Sequence, residues 1–222
     1  MDSVQRVRIE YSKKGPLRYI GHLDLMHTFF RALKRANLPV TYTQGFNPRI
    51  KCSFSPALSL GFESEAEYIE LYLDKKIDIS SSVEKLQKEL PEGLTVHNME
   101  KLPLLGKPSN VKIKAVAYRA NLQQFCGKSA VSDPVTREDI EGKIRDFLDK
   151  EEILLMDKKG RRVNIRPLIL SMEMGGDCNV RLLLKAGGEF NFNPRIIVKT
   201  LLGLEKEELA FVEFTREKFL FW

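Results

Sequence analysis

The first hundred residues alternate between two hydrophobic periods, and these periods predict the order of secondary structure. Residues 4–11 alternate apolar and polar positions with a period of two, as a half-buried strand does. Residues 23–36 repeat apolar positions at three-to-four spacing, which predicts an amphipathic helix. Residues 80–90 predict a second helix, and three further strands are predicted over residues 40–43, 68–73 and 94–99.

The resulting order is βαββαβ, and it recurs in the second half of the chain. Strands are predicted there over residues 111–122, 153–156, 163–172, 179–186 and 209–214, with helices over 136–148 and 194–202. This order is that of a ferredoxin-like domain. We therefore predict an α+β chain of two tandem ferredoxin-like domains with antiparallel sheets, over residues 1–102 and 111–222. Pro103, Gly106, Pro108 and Ser109 indicate a linker over residues 103–110.

A long excursion interrupts the first unit. Residues 44–67 separate two predicted strands, although a hairpin needs only about 2–5 residues, and such excursions are usually functional. Phe46 lies there, close to Arg49 and Lys51. An exposed aromatic ring beside cations is the chemistry of single-stranded nucleic acid binding. The alternative is that Phe46 fills the core beneath the loop.

A second segment, residues 16–25, enters the first predicted helix. Gly21 marks the helix entry, where unpaired backbone amides favour an anion. His22 is a weak candidate for a general acid or base, with a structural role as the alternative. Asp24 lies in the first turn. It either leaves these amides free to bind an anion or caps them with its own carboxylate. We expect both segments to lie side by side and to bind RNA or another anion through Arg18, Tyr19, His22, Gln44, Phe46, Asn47, Arg49 and Lys51.

Charge is unevenly distributed along the chain. Residues 1–60 contain ten Lys or Arg against three acids, whereas residues 61–110 contain six Lys against ten acids. This layout suits one face that meets a polyanion, or it is ordinary solvated charge. Weaker basic candidates in the second half are Lys158, Lys159, Arg161, Arg162, Arg166 and Arg195.

Several classes of protein are disfavoured by what the sequence lacks. No apolar run reaches the ~20 residues of a membrane span, so we expect a soluble, cytoplasmic protein. Cys52, Cys126 and Cys178 are scattered, so we expect three reduced, buried thiols and no metal or cofactor. No P-loop, zinc-protease or nucleophile-elbow motif is present, so no enzyme activity is assigned.

The two segments also carry a family resemblance. The pattern R-Y-x-G-H-x-D over residues 18–24, followed by L-P-V-x-Y-x-Q-G-F-N-P over residues 38–48, resembles the radical-SAM-linked (radical-SAM-associated) proteins. These form a bacterial family of unknown function. The resemblance implies a radical SAM enzyme as partner, and its association with RNA-processing genes implies RNA. The chain lacks the cysteine triplet of a radical SAM enzyme itself.

Three functions are compatible with these observations. The first is an RNA-binding accessory factor in tRNA or rRNA modification or processing. The second is a metal-independent ribonuclease of the fold of the RAMP proteins, with His22 as acid or base and Tyr19, Arg18 or Lys51 stabilising charge. The third is a protein-interaction module that docks a radical SAM enzyme without RNA.

Overall fold

The protein separates into two compact units, Met1–Lys112 and Ile113–Trp222. The computed structural model describes residues 3–126, 135–156, 160–186 and 193–221. Within each unit, the strands pair in antiparallel fashion and are accompanied by helices, so the predicted α+β class with antiparallel sheets is confirmed. Among the described residues, no helix is long and apolar enough to cross a membrane.

Unit 1 is a four-stranded sheet with two helices. Its elements are β1 (Gln5–Lys13), α1 (His22–Arg35), β2 (Cys52–Phe54), β3 (Phe62–Leu73), α2 (Ile79–Glu89) and β4 (Leu94–Leu102). The strands are ordered β4-β1-β3-β2. The long β3 pairs with both β1 and β2. The loops that flank these strands are therefore positioned at the ends of β3.

The core of unit 1 is built from the apolar positions that recur every two residues in β1 and every three to four residues in α1. Alternate residues of β1, namely Val7, Ile9 and Tyr11, are buried, and so are Phe29 and Leu33 of α1, four residues apart. Burial of one such side chain contributes about 1.5–3 kcal/mol. Asn37 ends α1 with a φ of 54°, the left-handed conformation expected at a helix stop.

The segment predicted to be a linker is held within unit 1. Arg6 Nη1 donates hydrogen bonds to the carbonyl oxygens of Pro103 at 3.5 Å and Gly106 at 3.4 Å. The backbone N–H of Ser109 donates to Glu70 Oε1 at 3.3 Å, and Ser109 is buried. Residues 103–109 are therefore anchored to β1 and β3 of unit 1.

Unit 2 contains four paired strands, ordered β10-β5-β9-β8, and a β6–β7 pair. Its elements are β5 (Ile113–Asn121), α3 (Arg137–Leu148), β6 (Leu154–Met156), β7 (Arg162–Asn164), β8 (Ile169–Met174), β9 (Asn179–Lys185), α4 (Pro194–Leu202), α5 (Lys206–Leu209) and β10 (Glu213–Phe221). Thr136 begins α3 with a capping box, and the Asn193 side chain caps α4.

Four predicted strands differ from the observed ones. The strand predicted over residues 163–172 is divided into β7 and β8 by a 3-10 turn, Arg166–Leu168. Residues 40–43 form only isolated bridges, at Val40 and Tyr42, and the regular strand β2 comes ten residues later. β3 begins at Phe62 instead of residue 68, because its first half alternates through charged positions. The last strand begins at Glu213 instead of residue 209, because a short helix, α5, precedes it.

The prediction of three reduced thiols is wrong. Cys126 and Cys178 form a disulfide, with their Cα atoms 6.3 Å apart. They are 52 residues apart in the chain, so only the folding of unit 2 brings them together. Cys52 is free and half-buried, and burial raises the pKa of its thiol to about 11.

Candidate functional site

A projecting hairpin connects α1 to β2. We call residues 43–51 the hairpin tip. The backbone N–H of Thr43 donates to the Arg49 carbonyl at 2.8 Å, and the Arg49 N–H donates to Thr43 Oγ1 at 3.0 Å. Gly45 has a φ of 139°, which an L side chain rarely adopts. These two hydrogen bonds and the turn at Gly45 therefore close the hairpin between Thr43 and Arg49.

Apart from Ile50, which is buried, the residues of the hairpin tip are exposed. Phe46 is fully exposed, at 106 %, so the alternative that it fills the core is wrong. The other predicted tip residues are also exposed: Gln44, Asn47, Arg49 and Lys51. Lys51 Nζ lies 4.4 Å from the centroid of the Tyr72 ring, a cation–π contact that orients the lysine.

The second predicted segment is a 3-10 turn, Gly15–Tyr19, followed directly by α1. We call residues 15–24 the helix entry. Glu63 accepts a hydrogen bond from the Gly15 N–H at 2.9 Å and pairs with Arg18 Nη1 at 3.9 Å. The Arg18 guanidinium lies 5.2 Å from the Tyr19 ring centroid, and Tyr19 is 65 % exposed. An exposed ring beside a cation thus occurs here as well.

His22 is the first residue of α1, and Gly21 is its N-cap. The His22 ring packs edge-on against Phe54, with centroids 5.8 Å apart, and is half-buried. A Cβ placed on Gly21 would lie 3.3 Å from Asp24 Oδ2, so this carboxylate sits at the helix start. With Glu63 and Asp24 both present, the helix entry already holds its own negative charge.

The two segments lie at opposite ends of β3. The helix entry contacts Glu63, near the start of the strand, whereas the hairpin tip reaches Tyr72, whose N–H donates to the Lys51 carbonyl at 3.2 Å. Nine residues of extended strand separate these contacts, about 30 Å. The expected adjacency of the two segments is therefore wrong.

Several cations of the basic first third serve the fold. Lys13 is 2 % exposed, and its Nζ donates to the Ile20 carbonyl at 3.1 Å. Glu70 pairs with Arg6 at 2.5 Å and with Arg8 at 3.3 Å. The positive charge that a ligand meets on unit 1 is therefore smaller than the sequence count indicates.

Sequence reasoning missed a buried polar cluster at the helix-entry end of the sheet. Ser55 Oγ donates to Glu67 Oε2 at 2.6 Å, and both residues are buried, as is Lys13. A signal was present, because period two places Lys13 on the same face as Tyr11, and Glu67 on the same face as Ile69. These contacts hold the helix entry and residues 55–61 at one end of β3.

The basic candidates of unit 2 have mainly structural partners. Arg166 Nε donates to the Leu148 carbonyl at 2.8 Å, which caps the end of α3. Arg195 lies 5.6 Å from the Phe214 ring centroid. Arg161 and Arg162 are exposed, and Lys158 and Lys159 lie outside the described residues. In the part of the chain that the structure describes, no group of three His, Cys, Asp or Glu side chains is placed to hold a metal ion.

These features define an α+β protein with an exposed, cation-bearing aromatic hairpin. Residues 6–194 match the family described as "Uncharacterized protein conserved in bacteria (DUF2344)". The match spans most of the chain, so the protein belongs to this family, and the predicted bacterial family of unknown function is confirmed. The radical SAM link stays a prediction.

Comparison with other proteins adds no function. No curated protein matches the chain. Among solved structures, the "Crystal Structure of an Unknown Protein from Galdieria sulphuraria" is 15 % identical over 97 % of this chain and 98 % of that chain. The TM-score is 0.31, too low to support an argument about fold or function.

Proposed function

We propose that the protein is an RNA-binding accessory factor whose hairpin tip contacts single-stranded RNA. The observation that carries this proposal is the full exposure of Phe46 at the end of a hydrogen-bonded hairpin. Leaving a phenylalanine in water forgoes about 1.5–3 kcal/mol of burial. A ligand that covers the ring recovers this free energy.

The neighbours of Phe46 favour a nucleic acid as that ligand. Every base offers a flat face for stacking, worth about 1–3 kcal/mol per base, and phosphates attract cations. Arg49 and Lys51 lie on the same hairpin and are exposed. Tyr19 with Arg18 repeats the combination at the helix entry, although Glu63 and Asp24 weaken its attraction for phosphate.

The face of the unit 1 sheet that carries Arg6 and Arg8 is a poorer candidate for the RNA contact. Arg6 and Arg8 stack on the rings of Tyr72 and Tyr68, each at 5.4 Å, an arrangement that resembles a base-stacking platform. However, Arg6 and Arg8 pair with Glu70, and Tyr68 is buried. The Pro103 carbonyl accepts a hydrogen bond from Arg6, and the Ser109 N–H donates one to Glu70, so the segment after β4 also occupies this face. The hairpin tip is therefore the better RNA contact.

We extend the proposal to the fold and the partner. The strand orders β4-β1-β3-β2 and β10-β5-β9-β8 support ferredoxin-like domains, with β6 and β7 as an insertion in the second. Action beside a radical SAM enzyme in tRNA or rRNA modification or processing rests on the sequence resemblance.

The hairpin tip can be tested with an exposed phenylalanine elsewhere as the control. Phe211 of unit 2 is 47 % exposed. Phe46→Ala should weaken binding of a fluorescent single-stranded RNA about 5- to 100-fold, the equivalent of one lost stacking contact, while Phe211→Ala should leave it unchanged. Fluorescence anisotropy at two salt concentrations measures both variants. Equal affinity of Phe46→Ala and wild type would refute the proposal.

A second candidate is a protein-docking module, because an exposed Phe46 also suits a protein anchor. A pull-down after nuclease treatment that still recovers a radical SAM enzyme, and that Phe46→Ala abolishes, would favour docking over RNA binding. For the ribonuclease alternative, the candidate acid or base His22 packs edge-on against Phe54. No observation favours that alternative.

A further inference from the structure

The outer surface of α1 carries a stripe of exposed side chains. Leu23, His27, Arg31 and Lys34 are spaced four, four and three residues apart, and all four are exposed. Residues at this spacing lie above one another on one face of a helix. The opposite face packs into the core through Leu25, Phe29, Ala32 and Leu33. We call His27, Arg31 and Lys34 the α1 stripe.

The α1 stripe joins the two exposed aromatic sites. α1 begins at His22, three residues after Tyr19. Its last turn leads to Val40, which bridges Leu73, and to Thr41, whose N–H donates to the Tyr72 carbonyl at 2.8 Å. The hairpin tip follows immediately. The helix is 14 residues long, about 21 Å, and so covers most of the roughly 30 Å of β3 between Glu63, at the helix entry, and Tyr72, at the hairpin tip.

The charge of this region favours a polyanion. The chain contains 30 acids in 222 residues, yet none occurs from Leu25 to Phe62. Five cations lie in that stretch, and Glu89 of α2 engages one of them, Arg35, at 2.6 Å. Arg31 and Lys34 belong to the α1 stripe, whereas Arg49 and Lys51 belong to the hairpin tip, where Lys51 lies over Tyr72 on the sheet face that carries Arg6. A segment without acids of its own attracts phosphates with less local repulsion.

We propose that the α1 stripe binds the phosphate backbone of one RNA strand that reaches from Tyr19 to Phe46. This inference rests on the proposed function and specifies its ligand. A stacked strand rises about 3.4 Å per nucleotide, so about nine nucleotides span 30 Å. The ligand is a single strand of at least this length, because bases in a duplex are not free to stack on Phe46 or Tyr19.

Length dependence follows from this geometry. A strand of about four nucleotides spans about 14 Å and can occupy only one aromatic site at a time. A strand of about twelve nucleotides can engage both sites and the stripe between them. Linked contacts raise affinity by about 10² to 10⁴ over either contact alone. We therefore expect a steep rise in affinity between these lengths.

The α1 stripe is tested with the double variant Arg31→Gln/Lys34→Gln. The matched control is Lys85→Gln/Lys88→Gln, two exposed lysines of α2 that are also three residues apart. Lys, Arg and Gln have similar helix propensities, so both variants should fold. Affinities for single-stranded RNA of four and twelve nucleotides, and for a twelve-base-pair duplex, are measured by anisotropy over a range of salt concentrations.

We expect the stripe variant to weaken binding of the twelve-nucleotide strand at least tenfold and to reduce its salt slope by about 1.4, since each lost phosphate contact removes about 0.7. The control should match wild type. Tyr19→Ala should also weaken the long strand, and the duplex should bind more weakly than the single strand.

Different failures separate the two proposals. If Phe46→Ala weakens binding but the stripe variant and Tyr19→Ala do not, the α1 stripe is not a track and the hairpin tip alone binds RNA. The same conclusion follows if the α2 control loses as much affinity as the stripe variant. If Phe46→Ala has no effect, both proposals fail. If poly-glutamate displaces RNA at equal charge concentration, the surface recognises acidic protein instead.

Discussion

Arg6 and Glu70 form a buried ion pair across neighbouring strands, with Nη2 and Oε2 2.5 Å apart and side chains only 4 % and 1 % exposed. The same carboxylate pairs with Arg8 at 3.3 Å and accepts a hydrogen bond from the Ser109 N–H. One buried acid thus compensates two cations and anchors the segment after β4. These arginines stabilise unit 1 and are not available to a ligand.

Replacement of Glu70 should therefore destabilise the protein. Glu70→Ala leaves the Arg6 charge buried without its carboxylate, and loss of one partner of a buried pair costs about 3–5 kcal/mol. Urea denaturation followed by circular dichroism measures the free energy of unfolding. Glu100→Ala is the control, because Glu100 also pairs with Arg8 but is 43 % exposed, so its loss should cost less than about 1 kcal/mol. Equal losses in the two variants would contradict the assignment of a buried pair.

The same pair predicts a dependence of stability on pH. Burial raises the pKa of Glu70, but hydrogen bonds from Ser109 and Arg6, together with the charge of Arg6, outweigh burial and lower it. A carboxyl group with a lowered pKa in the folded state stabilises the protein above its unfolded pKa, and this stabilisation is lost as pH falls through the folded pKa.

We expect wild type to lose stability below about pH 4.5, with a steeper slope than Glu70→Gln, which has no carboxyl group to protonate at this position. Urea unfolding of both proteins between pH 7 and pH 3 measures the slopes. Parallel curves would show that the Glu70 carboxylate contributes no differential stability.

The disulfide of unit 2 gives a further prediction. Cys178→Ser removes a crosslink that spans 52 residues and should lower the free energy of unfolding by about 2–4 kcal/mol. Reductant should lower the stability of wild type to that of the variant and leave the variant unchanged. Cys52→Ser is the control, since Cys52 is free, and reductant should destabilise this variant as it does wild type. Wild-type stability that is insensitive to reductant would refute a stabilising disulfide.

Short-range patterns predicted the regular elements well. Period two identified β1, and apolar spacing of three to four identified α1 and α2, because one buried face imposes these repeats. β2 was harder to predict, because three residues are too few to establish a period. The start of β3 was missed because Ser64 and Glu67 are buried polar residues, which hydropathy does not identify.

The candidate site was predictable in part. Excess loop length identified the hairpin tip, and Phe46 is exposed there. The two segments were predicted to be adjacent, which is wrong. The predicted topology already implied that they lie at opposite ends of the sheet. A helix that connects two strands carries the chain back across the sheet, so the loops before and after α1 lie at opposite ends. The charge count was also misleading, because Arg6 and Lys13 are buried and Arg8 pairs with Glu70.

Hydrophobic period, helix caps and loop length depend on residues close together in the chain, so they can be read from the order of amino acids. The α+β class, the caps at Thr136 and Asn193 and the hairpin tip belong to this group. The Arg6–Glu70 pair and the Cys126–Cys178 disulfide join positions 64 and 52 residues apart. Such contacts depend on strand register and helix packing, which arise only when distant segments meet in the folded chain.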